Sequence, residues 1–137
     1  MPRRRGDVML AIDTNLVVRY LTGDHPQQSA KAKAVIDREE VFVSTTVMLE
    51  TEWVLRSTYG FDAKRLCKAL RGFGGLPNVV LEDPGLVAFA LDRMDDGMDF
   101  ADALHWWRAA SCEAFVTFDQ QFIRSAKAMG LAKVRLP

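Results

Sequence analysis

The stretch Met9-Leu10-Ala11-Ile12-Asp13-Thr14-Asn15-Leu16-Val17-Val18 decides how this chain is read. An apolar run of strand character stops at an acid, a hydroxyl and an amide. A helical pattern then resumes at Leu16, Val17, Tyr20 and Leu21. In an open α/β sheet, functional groups gather just beyond the carboxyl ends of the strands. Asp13 is therefore expected at that edge, and other carboxylates arriving there would make it a site.

Outward from this stretch the pattern alternates. Pro26 is placed to open a second helix through Lys33, Val35 and Ile36. Val41-Phe42-Val43 predicts a buried strand, and Ser44-Thr45-Thr46 offers caps for a helix to Tyr59. In that helix Val47, Glu50, Val54 and Ser57 fall on one stripe. Asp62 caps a helix with Leu66, Ala69, Leu70 and Phe73 inward, and Gly72-Phe73-Gly74-Gly75 is expected to break it. Asn78–Leu81 predicts a third strand, and Pro84 opens a helix through Leu86, Phe89, Ala90 and Met94. Asp99 starts a helix carrying Ala103, Leu104, Trp106 and Trp107. Ala114–Phe118 predicts a fourth strand, Asp119–Met129 a helix, and Ala132–Leu136 a weak last strand. Strands alternating with helices imply an α/β fold, a three-layer α/β/α sandwich around a mostly parallel sheet. With no linker or repeat, one domain over 9–137 is expected, preceded by a basic extension at 1–8 containing Arg3-Arg4-Arg5.

The 137 residues suit one domain that buries roughly two-thirds of its unfolded surface. Formal net charge is zero, yet residues 1–75 carry 12 Lys/Arg against 9 Asp/Glu and the remainder 6 against 9. Overall charge thus does not announce a polyanion partner; only a local patch would. No apolar run approaches the roughly 20 residues of a membrane span, and Val8–Ile12 is too short for a signal peptide. A cytoplasmic protein is the expectation, with Cys67 and Cys112 as buried, unpaired thiols.

Five acids are placed to converge. Asp13 and Asp119 each follow an apolar run, Asp99 and Asp102 share the first turn of a helix, and Glu50 lies one turn into the helix after the second strand. Each alone also reads as an ordinary cap or solvated acid, and Glu52 with Arg56 as a surface i,i+4 pair. Together they are harder to dismiss. Two unit charges about 4 Å apart repel by about 1 kcal/mol in water and about 4 at an effective dielectric of 20. Gathered carboxylates with no balancing Lys or Arg call for a cation, and hard oxygen donors suit Mg²⁺ or Mn²⁺. There is no Walker-type or G-x-G-x-x-G loop. His105 reads as packing or support rather than a base, and the three tryptophans as core. Lys64, Lys68 and Arg71 share one helix face, a stripe that is usually solvated but suits a phosphate backbone.

Four motifs, in order, carry a resemblance: Asp13-Thr14-Asn15, Glu50-Thr51-Glu52-Trp53-Val54-Leu55, Asp99-Phe100-Ala101-Asp102-Ala103-Leu104 and Thr117-Phe118-Asp119-Gln120-Gln121-Phe122. The chain resembles the PIN-domain ribonucleases, specifically the VapC-type toxins of prokaryotic toxin–antitoxin pairs. The resemblance implies a Mg²⁺- or Mn²⁺-dependent endoribonuclease with Asp13, Glu50, Asp102 and Asp119 as the acidic cluster. It puts Asp99 beside them and Thr14, Asn15 and Thr117 as polar support. It further implies an RNA substrate, a cognate antitoxin and a second copy of the chain as partners. A signalling receiver domain is a rival of similar size, but it needs two adjacent acids after the first strand, where Thr14 and Asn15 follow Asp13. A PIN-like scaffold that binds RNA without cutting is the other.

Overall fold

The computed structural model describes residues 9–131 and 133–137. The basic extension at 1–8 and Ala132 lie outside the described residues. The elements run β1 (Met9–Ala11), α1 (Thr14–Thr22), α2 (Pro26–Arg38), β2 (Glu40–Val43), α3 (Thr45–Ser57), α4 (Ala63–Gly74), β3 (Val79–Leu81), α5 (Pro84–Asp95), α6 (Phe100–Arg108), β4 (Phe115–Val116), α7 (Gln120–Ala128) and β5 (Val134–Arg135). They cluster into two compact units, one up to Pro84 and one from Gly85.

In the first unit β1, β2 and β3 form a parallel sheet in that order, Leu10 opposite Val41 and Val41 opposite Val79. Parallel neighbours need a crossover, and α1–α2 and α3–α4 supply them. Val17 and Val18 of α1, Ile36 of α2, Val41 and Val43 of β2, and Leu66, Leu70 and Phe73 of α4 are buried. Gly23 closes α1 in the left-handed region at φ 65°, its N–H on the Arg19 carbonyl, where a Cβ would be strained. In the second unit β4 and β5 pair in parallel, and Leu86, Leu91, Phe100, Leu104 and Phe122 are buried. The Phe115 and Phe122 rings lie 5.1 Å apart, and Phe89 lies against Trp106 and Trp107. The α/β class on parallel strands is thus what the structure shows.

Several local expectations are corrected. The buried face of α3 is the stripe through Met48, Thr51, Glu52 and Leu55, while Val47, Glu50, Val54 and Ser57 lie outside it. The buried stripe steps i, i+3, i+4, i+7 but includes an acid, which reading by hydropathy passes over. Glu52 is only 1% exposed, so its pairing with Arg56 at 2.9 Å is not a surface pair. Helix α4 does end within the Gly72–Gly75 stretch, keeping Gly72 and Phe73 helical, with Gly74 its last residue and Gly75 its cap. Burying Phe73 at about 1.5–3 kcal/mol outweighs the roughly 1 kcal/mol that a helical glycine costs. A Cβ at Gly74 would stand 3.1 Å from Leu81, so glycine lets the last turn of α4 approach β3. Trp53 is 57% exposed and Trp107 39%, so neither is core. Cys67 is buried, whereas Cys112 is exposed.

Candidate metal centre

In the first unit, β1 delivers its chain directly to Asp13. The Asp13 Oδ1 accepts the Leu16 N–H at 3.1 Å and so caps α1. Thr14 follows, 8% exposed, and its hydroxyl donates to Glu50 Oε1. A short polar link therefore ties the β1–α1 corner to α3. Of the two acids in the α3 motif it selects Glu50, because Glu52 is turned inward onto Arg56 Nε. Asp13 and Asn15 border a hollow of about 250 Å³ with Leu16, Arg19, Gln28 and Lys31.

In the second unit three acids stand at two helix starts. Asp99 Oδ1 accepts the Asp102 N–H at 3.0 Å, capping α6. Asp119 Oδ1 accepts the Phe122 N–H at 3.1 Å, capping α7, and the Thr117 hydroxyl accepts the Asp119 N–H. The cap reading of Asp13, Asp99 and Asp119 is thus correct as far as it goes. Capping occupies one oxygen, and a carboxylate has two. Asp102 is different, since its carboxylate has no hydrogen-bond or ion-pair partner among the described residues. Burial, and after it the charges of Asp99 and Asp119, push Asp102 from the ordinary 3.8 up to about 6. A half-buried carboxylate raised by two like charges is short of positive charge, which is the condition a divalent cation relieves.

The donor set is all oxygen, which fits Mg²⁺ or Mn²⁺ and not a thiolate-seeking metal. Among the described residues, no three His, Cys, Asp or Glu side chains stand close enough to enclose an ion by themselves. Mg²⁺ does not require such a cage, because it keeps several waters and takes one or two carboxylates with substrate oxygens. The donors present therefore fit a weakly caged hard cation.

The pattern of the PIN domain matches residues 10–128. The chain belongs to the PIN-domain family. PIN domains are generally metal-dependent nucleases acting on RNA. The match runs through both units and takes in all four motifs of this PIN domain. Comparison with curated proteins returns no match. No helix among the described residues is long and apolar enough to cross a membrane.

Elsewhere the expected residues separate. Lys64, Lys68 and Arg71 are exposed along α4. His105 is exposed on α6, and His25 caps α2 by accepting the Gln28 N–H on Nδ1. The feature that sequence reasoning missed is the Thr14–Glu50 hydrogen bond. Its signal was present, since Thr14 lies between two polar residues of the opening motif.

Proposed function

We propose that this PIN-domain protein is an endoribonuclease that hydrolyses RNA phosphodiester bonds with Mg²⁺ or Mn²⁺, as the toxin of a type II toxin–antitoxin pair. The observation that carries this reading is Asp102, an unpartnered carboxylate held near two like charges. The VapC-like motifs assign Asp13, Glu50, Asp102 and Asp119, with Asp99 beside them, as the residues that would hold the ion. When bound, such an ion supplies positive charge to a phosphodiester and favours ionisation of water at neutral pH.

The chain's own residues do the rest. Thr14 orients Glu50, Thr117 holds the loop that presents Asp119, and the three capping acids are fixed by helix N-termini. Fixed carboxylates cost no reorganisation when charge develops, which is how a preorganised site lowers a barrier. Lys64, Lys68 and Arg71 offer phosphate contacts on α4. The reaction is an in-line displacement by water that needs no covalent protein intermediate. The single-domain reading of residues 9–137 is supported by the family match over residues 10–128. The toxin role, with a cognate antitoxin and a second copy as partners, is supported by the four motifs in VapC-like order. The receiver alternative falls away with the family match.

The test is cleavage of a structured RNA with Mg²⁺ and with EDTA, by wild type and by Asp13→Asn. Asparagine caps a helix as well as aspartate, so this variant keeps α1 while losing charge. Cutting by wild type in Mg²⁺ alone, lowered more than about a hundredfold in the variant, is expected. Undiminished cutting by the variant, or by wild type in EDTA, would contradict the metal mechanism. Tight RNA binding with no cutting would favour the scaffold reading.

A further inference from the structure

On the first unit, α1 and α4 enclose a groove of about 470 Å³ that the acids do not border. Its walls are apolar and aromatic, with Tyr20, Phe61, Phe73 and Leu76, and its cations are Arg65 and Lys68. None of the lining residues is acidic. Arg65 and Lys68 make no ion pair among the described residues, and both are exposed. The Arg65 guanidinium lies over the Phe61 ring, 3.8 Å from its centroid. Its inner face is thus used, and its outer face is a flat cationic platform. Asp62, at the start of α4, is engaged as a cap on the Arg65 N–H.

We propose that this groove is a subsite for one nucleotide of single-stranded RNA, its base laid on the outer face of Arg65 and its phosphate on Lys68. The inference rests on the ribonuclease reading and names where the substrate is held away from the acids. Charge complementarity favours a polyanion, because two cations stand among apolar walls without an acid. A stacked guanidinium favours a flat base over an aliphatic side chain. Bases stack on aromatic and guanidinium planes whatever their identity, while cations follow the backbone. Lys64, one turn before Lys68 on α4, extends the basic track.

Gly72 supplies the test. It lines the groove, and a Cβ there meets nothing within 4 Å, so Gly72→Leu fills the space without disturbing the helix. The measurement is the anisotropy of a fluorescein-labelled single-stranded RNA titrated with Asp102→Asn protein in Mg²⁺, with and without Gly72→Leu. Arg65→Lys, which keeps the charge but loses the plane, is the second variant. Each should raise Kd by about tenfold without lowering the melting temperature. Lys68→Ala should flatten the log Kd against log salt slope by about 0.7. In the otherwise wild-type enzyme, Gly72→Leu should raise KM for RNA and leave kcat alone. Unchanged Kd and KM in folded Gly72→Leu and Arg65→Lys would overturn the subsite, as would a lost affinity for a protein partner with RNA affinity intact. Failure of wild type to cut RNA in Mg²⁺ would instead remove the ribonuclease reading, which the Kd comparison does not depend on.

Discussion

Asp102 makes stability depend on pH in an unusual direction. Its pKa is raised from 3.8 to about 6, so between those values the folded chain holds more of this proton than the unfolded chain does. Stability attributable to this group is therefore full below the unfolded value and is lost as pH rises to about 6. A salt-bridged acid does the reverse. Metal-free Asp102→Asn should melt higher than wild type at pH 7.5 and no higher at pH 4, by thermal melts in EDTA. Equal or lower melting at pH 7.5 would make the carboxylate a structural asset instead of a strained one. Glu52 is the opposite case, an acid 1% exposed and held by Arg56. Arg56→Ala should cost about 2 kcal/mol in urea melts, less than for a fully enclosed pair because Arg56 is 45% exposed. Glu50→Gln, at an exposed position, should cost little stability yet lower cleavage. Equal stability losses at Arg56 and Glu50 would mean that the assignment of the two glutamates is reversed.

Three of the acids proposed to hold the ion also cap helices, so capping and catalysis must be separated element by element. Asp99→Ala removes both the cap of α6 and a charge beside Asp102, whereas Asp99→Asn removes the charge alone. The alanine variant should lose about 1 kcal/mol and the asparagine variant far less. Similar activity losses in the two would place the charge, and not the cap, in the mechanism; loss in the alanine variant alone would do the reverse. Element order was legible because caps and stops are local. Asp13, Ser44, Asp62, Asp99 and Asp119 each accept the N–H three residues on, and Gly23 and Gly60 take positive φ. Which face of α3 turns inward was not legible, because a buried Glu52 depends on Arg56 one turn away. The exposure of Trp53 and Cys112 was missed for a related reason: apolarity states a preference for burial, while the fold decides whether a neighbour is there to cover it. Among the acids, motif position was legible but charge environment was not. No spacing rule says that Asp102 lacks a partner while Asp99 and Asp119 cap.

At the scale of the whole molecule, the family pattern over residues 10–128 takes in residues of both units. If the chain is a ribonuclease toxin, induction alone should arrest bacterial growth, and Asp102→Ala at matched expression should not. Equal arrest by both would point away from nuclease toxicity. Mg²⁺ should also raise the melting temperature more at pH 7.5 than at pH 4, because it binds the ionised form of Asp102. The most direct test of the central claim, that these carboxylates hold a divalent cation, is calorimetric titration of Mn²⁺ at pH 7.5 into wild type, Asp13→Asn and Asp102→Asn. Saturable binding by wild type, weakened at least about tenfold in each variant, is the expected result. Equal binding by all three, or none by a wild type that still cuts RNA, would contradict it.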